Sequence, residues 1–121
     1  LAQDQLALAR RHWEQRDGAE NELFLCVKAY RQGLSYLETL NPKPDFAADL
    51  TQGLNEAEDL LAKRYDDLRF QVEQAENTGR MDDAARLLQR ILRLIPDRED
   101  ERHEAAQTRL LTLENLKKGG R

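Results

Sequence analysis

Residues 73–98 constrain the fold of this chain more than any other stretch. A run of helix-forming residues leads to Gly79, whose backbone permits a turn, and a second helical run of about four turns ends at Pro96. Small side chains allow two helices to approach closely, so the stretch predicts a tightly packed antiparallel helix pair. The small residues at the expected contact are Ala75, Ala84 and Ala85.

The same helical pattern extends over the rest of the chain. Apolar residues recur at steps of three and four, glycine or proline separates the runs, and only three prolines occur in 121 residues. The pattern predicts an all-α fold, a five-helix antiparallel hairpin array. The predicted helices cover residues 2–15, 19–40, 46–77, 81–95, and a last span from a cap at Asp97 to Gly119-Gly120.

The third predicted helix is unusually long. Its apolar seam runs from Leu50 to Leu68 and beyond with steps near 3.5 residues, and no proline interrupts it. We therefore predict one continuous helix. Its length leaves one alternative open, a break near Gly53 or at residues 62–63.

Composition and charge bound the functions that the chain can serve. Charged residues make up 35% of it and hydrophobic residues 40%, which fits one helical domain over residues 1–118 and a tail or linker at 119–121. Residues 1–60 carry 6 basic and 11 acidic side chains, a net charge of −5, whereas residues 61–121 carry +1. The overall net charge of −4 argues against nucleic acid as the main partner.

Other features bear on where the protein works. No apolar run is long enough to cross a bilayer, so we expect no membrane contact within this segment. Cys26 is the only cysteine, which excludes an internal disulfide and leaves a reducing compartment open. The chain starts at Leu1 rather than Met. We therefore expect one domain of a longer protein, located in the cytoplasm.

No residue pattern in the sequence is typical of catalysis or of metal binding. His12 and His103 lie in different predicted helices with no second histidine or cysteine nearby, and we expect both on the surface. Adjacent aspartates, at 66–67 and 82–83, splay apart on a helix, and Cys26 between apolar neighbours is typical of a buried, inert thiol. The sequence therefore predicts a protein that is not an enzyme and has no cofactor or metal.

A basic stripe follows the fourth predicted helix. Arg86, Arg90 and Arg93 recur at steps of four and three residues, which places them on one face. Such a stripe is most often a solvated face. It also suits docking of an acidic surface, from a partner or from the acidic first half of another copy.

Residues 65–98 resemble a tetratricopeptide repeat. Gly79 stands at the glycine between the two helices of that repeat, Ala84 at the small position of the second helix, and Pro96 at its end. Residues 4–42 look like a second, altered copy with a longer second helix. The resemblance implies a TPR-like fragment of an α-solenoid that binds proteins or peptides.

The resemblance also implies which residues line a binding groove. In the better copy these positions are Asp66, Arg69, Phe70, Glu73 and Glu76. Their acidic bias differs from the Lys and Asn residues with which family members hold a peptide C-terminal carboxylate. A basic or mixed-charge protein or peptide is therefore the expected partner.

These patterns together favour a non-catalytic protein–protein interaction or scaffolding module. The alternative is a helical spacer or a self-association domain, in which the heptad-like seam of the third helix mediates dimerisation and gives a homo-oligomer. The two hypotheses differ in a simple observable. The mass of a self-associating chain, measured by light scattering, rises with concentration in the absence of any partner.

Overall fold

Helices make up the regular structure of this protein. The computed structural model describes residues 1–119, and in this range the chain forms α-helices and no strand. The predicted all-α class is confirmed, as is the long third helix, which continues through Gly53 and residues 62–63. The five helices of the described range are α1 (Ala2–Glu14), α2 (Glu22–Tyr36), α3 (Ala47–Asn77), α4 (Met81–Leu94) and α5 (Glu101–Gly119).

The chain packs as two compact units. The N-terminal unit comprises residues 1–62 and the C-terminal unit begins at Lys63, so α3 contributes its first half to one unit and its second half to the other. Each unit therefore contains two complete helices and half of α3. The single domain over residues 1–118 stays a prediction. The last two residues of the predicted tail, 119–121, lie outside the described residues.

The core of the N-terminal unit is apolar and draws on all of its helices. Burial of such surface contributes roughly 25 cal/mol per Å² and is the main stabilising term. At the edge of the unit, Arg31 on α2 forms an ion pair of 3.0 Å with Glu58 on α3. Exposed ion pairs contribute little, so the apolar faces hold the unit together. The buried side chains include Ala2, Leu6 and Ala9 of α1, Leu23, Val27 and Tyr30 of α2, and Leu50, Ala57 and Leu61 of α3.

Two glycines determine how closely the helices of this unit approach one another. A Cβ atom at Gly33 of α2 would lie 2.8 Å from Cδ2 of Leu50 on α3. A Cβ atom at Gly53 of α3 would lie 2.2 Å from Cζ of Tyr30, so the Tyr30 ring rests directly on the α3 backbone. Glycine costs a helix interior about 1 kcal/mol relative to Ala. At both positions the missing side chain makes room for a buried one.

α2 is shorter at both ends than the predicted span of residues 19–40. The chain forms turns between α1 and α2, and the helix begins only at Glu22. Beyond its end, Lys43 donates from Nζ to the carbonyl oxygens of Leu37 at 3.0 Å and of Leu40 at 3.3 Å. A lysine from the following loop thus satisfies carbonyls that a longer helix would have paired. Apolar periodicity does not reveal such a contact, and the helix predicted from periodicity therefore extended past the observed C-terminal end of α2.

The turn between α3 and α4 has the hydrogen bonds of a Schellman motif. The N–H of Gly79 donates to the carbonyl of Glu76 at 3.1 Å, and the N–H of Arg80 donates to that of Ala75 at 2.8 Å. Gly79 has a φ of 76°, a left-handed conformation that strains any residue with a Cβ atom. The turn predicted at Gly79 is confirmed.

α5 begins later than predicted and has a different cap. Oδ1 of Asp97 accepts a hydrogen bond of 2.9 Å from the N–H of Glu99, which closes a local turn before the helix. Oδ1 of Asp100 accepts one of 2.9 Å from the N–H of Arg102, at the helix start. The predicted cap at Asp97 is therefore wrong. Both aspartates bond to the N–H two positions on, and only Asp100 stands directly before α5.

The C-terminal unit has a second apolar core. Of the small residues expected at its helix contact, Ala75 and Ala84 are buried and Ala85 is half-buried. The fourth helix ends at Leu94, just before Pro96, as the proline predicted. The other buried side chains include Leu68 and Val72 of α3, Leu88, Ile91 and Leu94 of α4, and Ala106, Leu110 and Leu113 of α5.

We expect Gly53→Ala to destabilise the protein, although Ala is the better helix former. The gain in helix propensity is about 1 kcal/mol, whereas overpacking a buried contact costs about 1–3 kcal/mol or more. The new Cβ would lie within 2.6 Å of three atoms of the Tyr30 side chain, two ring carbons and the hydroxyl oxygen. Denaturant unfolding followed by circular dichroism measures the difference. In a Tyr30→Ala background the substitution should be neutral or stabilising, and a penalty that persists there would exclude the ring as its cause.

Ala84→Leu should lower the free energy of unfolding by about 1–3 kcal/mol, because the site is tightly packed and cannot accept three more carbon atoms. Ala84 is 0% exposed. The matched control is Ala85→Leu at the neighbouring, half-buried position, which should cost less. Thermal unfolding of both variants makes the comparison. An unchanged midpoint for Ala84→Leu would contradict close packing at this point of α4.

Candidate functional site

A groove of about 280 Å³ lies between α3 and α5 in the C-terminal unit. Its floor is apolar, because Val72, Leu88 and Ile91 of the core reach its base, and its sides carry charged residues. We refer to it as the α3–α5 groove. It is lined by Tyr65, Arg69, Val72, Glu73 and Glu76 of α3, Leu88 and Ile91 of α4, and Ala105, Ala106 and Arg109 of α5.

Oppositely charged residues that line the α3–α5 groove form ion pairs with one another. Both carboxylate oxygens of Glu76 accept hydrogen bonds from the guanidinium of Arg109, and the Nε–Oε1 distance is 3.0 Å. The hydrogen bond to Glu76 raises the pKa of Arg109 above its ordinary value, despite the opposing effect of burial. Arg69 and Glu73 lie 3.9 Å apart one helical turn away. The lining thus carries both signs of charge in balance.

An aromatic side chain forms one end of the same groove. The guanidinium of Arg102 lies 5.8 Å from the centroid of the Tyr65 ring, at cation–π distance, and both oxygens of Asp100 accept hydrogen bonds from that guanidinium. α5 therefore supports the Tyr65 ring through its first turn. The rim of the groove combines an aromatic face with fixed charges, which suits a side chain or a short peptide segment.

Only some of the predicted groove residues come together. Arg69, Glu73 and Glu76 line the α3–α5 groove. Asp66 is exposed on α3 and Phe70 is 59% exposed, but neither lines this groove, and their part in binding stays a prediction.

Sequence reasoning missed the α5 wall of the α3–α5 groove. Ala105 and Arg109 lie about 30 residues or more beyond the α3 residues that they face. A repeat of paired helices places every third helix beside the first. That rule could have identified α5 as the second wall, although it would not have identified Arg109 as the partner of Glu76.

A second groove, of about 420 Å³, lies on another side of α3, against α4. Two members of the basic stripe, Arg86 and Arg90, line it, whereas Arg93 does not. Asp83 forms ion pairs with Arg86 and, at 4.0 Å, with Arg80. We refer to it as the α3–α4 groove, and its lining is Gln71, Gln74 and Ala75 of α3, Arg80 of the turn, and Asp83, Arg86, Leu87 and Arg90 of α4.

Both histidines have structural roles rather than the predicted surface positions. Nδ1 of His12 on α1 lies 2.5 Å from Oε2 of Glu22 on α2, and both side chains are 18% exposed. Nδ1 of His103 lies 2.6 Å from the carbonyl oxygen of Ile95, so this nitrogen donates to a carbonyl just past the end of α4. Both rings are half-buried rather than on the surface, because each contacts a residue outside its own helix, and spacing along one helix does not reveal such a contact.

Cys26 is a buried thiol within the N-terminal core. It is 0% exposed, and burial raises its pKa from 9.0 to about 11, with a smaller opposing effect from Arg16. The thiolate is the reactive form, so the thiol is unreactive near neutral pH. This agrees with the inert role predicted from its apolar neighbours.

The described residues contain no group of three or more His, Cys, Asp or Glu side chains placed to hold a metal ion. Among their helices, none has both the length and the apolar character needed to cross a bilayer. A scan against protein-family models gives no match, and neither do searches of the curated proteins and of the solved structures. The likeness to a tetratricopeptide repeat therefore stays a prediction that rests on the residues quoted for it.

The free energy of unfolding should fall between about pH 9 and pH 11 through Cys26. The raised pKa of about 11 means that folding favours the neutral thiol. This contribution is complete below the ordinary pKa of 9.0 and is lost as the pH rises through the folded-state value. Unfolding of wild type and of Cys26→Ala across this range isolates the effect. A stability difference between the two proteins that stays constant up to pH 11 would contradict it.

Proposed function

We propose that this chain is a non-catalytic protein-interaction module and that its α3–α5 groove binds a basic or mixed-charge segment of a partner protein. The observation that carries the proposal is the combination in one groove of an apolar floor with paired charges along its sides. Protein interfaces combine the same elements, namely a desolvated apolar centre and a polar rim that determines specificity.

The charge pairs favour binding because they organise the groove before a partner arrives. Arg109 and Glu76 hold each other through two parallel hydrogen bonds, so little side-chain entropy remains to be lost at that side. Glu73 is 62% exposed and pairs with Arg69 at 3.9 Å, a long contact that an incoming cation can replace. A partner segment would fit if its lysine or arginine paired with Glu73 and a neighbouring apolar side chain packed on the floor of the groove.

Self-association through the seam of α3 is the weaker candidate. The residues of that seam, among them Leu50, Leu61 and Leu68, are buried inside the chain's own units. A second copy could reach them only after a unit had opened, at the cost of its core. The proposed module therefore works through exposed grooves, and a scaffolding role would follow from the use of more than one of them.

Selection of peptides from a random displayed library, with this chain as bait, tests the proposal. We expect enriched peptides that combine basic and apolar residues. They should lose binding to Glu73→Lys, because the substitution removes the carboxylate that pairs with the partner's cation and gives the described lining of the α3–α5 groove a net positive charge. The matched control is Glu114→Lys, an exposed residue of α5 outside the groove lining, which should bind the same peptides. Helical circular dichroism confirms that both variants are folded.

Two results would contradict the proposal. Selected peptides that bind wild type and Glu73→Lys equally would place binding elsewhere, and a selection without enrichment would remove the groove as a peptide site. Light scattering of the chain without a partner measures whether it self-associates, which is the alternative function. A mass that rises with concentration would favour self-association over a module that binds other proteins.

A further inference from the structure

The outer face of α5 carries a depression of about 580 Å³ that meets the α3–α5 groove at Ala105 and Arg109, which line both surfaces. We propose that the partner segment bound in the α3–α5 groove continues over this face, where a second lysine or arginine of the segment pairs with Glu101 and Glu104. The inference rests on the function proposed above and adds to it the length and the charge pattern of the ligand. We refer to the surface as the α5 face, and its lining is Glu101, Glu104, Ala105, Thr108, Arg109 and Thr112.

Charge is the first argument, because the α5 face has carboxylates that no described residue pairs with. Glu101 and Glu104 are exposed, and neither carboxylate forms an ion pair or a hydrogen bond with another described residue. Arg109 is the one basic residue of the described lining, and both carboxylate oxygens of Glu76 already accept hydrogen bonds from its guanidinium. The α5 face therefore carries unpaired negative charge, for which a lysine or an arginine is the complementary group.

The positions of the two glutamates allow one cation to contact both. Residues three apart on a helix are neighbours on its surface, with Cβ atoms about 5–6 Å apart. Glu101 and Glu104 thus present two carboxylates on the same side of α5, in its first turn. A cation between them gains from both carboxylates and relieves the repulsion of like charges.

The rest of the α5 face lets a peptide main chain approach closely, because its side chains are small. Ala105 is exposed and belongs to both linings, so a segment that leaves the α3–α5 groove crosses it. Oγ1 of Thr112 donates to the carbonyl oxygen of Thr108 at 3.0 Å. That hydroxyl has its partner within the helix and requires none from a ligand.

The dimensions of a helix give the spacing of the two basic residues in the ligand. A helix with its side chains is about 10–12 Å across, which sets the distance that a segment crosses from the α3–α5 groove to the α5 face. An extended chain rises about 3.3 Å per residue, and residues an even number of positions apart point to the same side. A basic residue beside Glu73 and a second one four positions further, beside Glu104, therefore fit the two surfaces. Adjacent basic residues do not, because their side chains point to opposite sides.

Two ten-residue fluorescent peptides of equal composition test the spacing. Each has two lysines, two leucines and six serines. The spaced peptide has its lysines four positions apart with the leucines between them, and the control peptide has adjacent lysines. Fluorescence polarisation with the full chain at low salt should give a Kd about fivefold lower for the spaced peptide. Equal Kd values, or no binding of the spaced peptide, would overturn the proposal.

A pair of double variants tests the location. Glu101→Gln with Glu104→Gln should raise the Kd of the spaced peptide about fivefold, to that of the control peptide. Glu99→Gln with Glu114→Gln removes the same charge from exposed positions outside both linings and should change Kd less than twofold. Because Glu99 stands just before α5, this control also removes an acidic residue near the helix N-terminus. Helical circular dichroism confirms that both variants are folded.

The same variants separate this proposal from the function on which it rests. An equal loss of binding in the two double variants would show that net charge alone is responsible and would overturn the α5 face as a site. Binding of the spaced peptide that is lost in Glu73→Lys but unchanged in Glu101→Gln with Glu104→Gln would also overturn it, and would leave the α3–α5 groove as the binding site. Binding that Glu73→Lys leaves unchanged would instead contradict the function proposed for that groove.

Discussion

Both units of the chain depend on α3, because neither has enough helix of its own to close a core. The pairs α1 with α2 and α4 with α5 each span fewer than 40 residues, a length at which chains rarely bury enough apolar surface to fold unaided. α3 supplies the missing wall in each unit. Its seam contributes Leu50 and Leu61 to the first core and Leu68 and Val72 to the second. The uninterrupted seam of α3 is thus the feature on which both cores rest.

The second half of α3 also contributes residues to both grooves of the C-terminal unit. A helix has 3.6 residues per turn, so consecutive residues of one segment face in different directions. Val72 and Ala75 face the core, Glu73 and Glu76 line the α3–α5 groove, and Gln71 and Gln74 line the α3–α4 groove. Folding alone thus exposes two surfaces with different chemistry on one helix. The described lining of the α3–α5 groove carries balanced charges, whereas three arginines and one aspartate line the α3–α4 groove.

Close packing in the N-terminal unit is specified by absent side chains as much as by present ones. Gly33 and Gly53 each leave a space that Leu50 and the Tyr30 ring respectively occupy. Glycine weakens an isolated helix, so these positions are consistent with the fold only when the neighbouring helix is in place. Two histidine contacts also depend on neighbouring elements, since His12 of α1 bonds to Glu22 of α2 and His103 of α5 bonds to the carbonyl of Ile95 just past the end of α4.

The sequence by itself determined the helices and most of their limits. Apolar periodicity, the turn at Gly79 and the stop at Pro96 gave α3 and α4 within one residue at each end, because these signals are local. Periodicity failed where the decisive contact was a hydrogen bond, as with Lys43 beyond α2 and Asp100 before α5. Of the five groove positions expected from the resemblance to a tetratricopeptide repeat, three line the α3–α5 groove and two do not.

Only the tertiary structure decided which of these residues act together. It paired Glu76 with Arg109, added α5 as the second wall of the α3–α5 groove, and placed Arg86 and Arg90 but not Arg93 in the lining of the α3–α4 groove. It also placed apolar residues of the α3 seam, among them Leu50, Leu61 and Leu68, in the cores of the chain's two units. The physical reason is that helix formation depends on neighbours in the chain, whereas a binding surface depends on residues from separate helices, whose approach is set by packing between them.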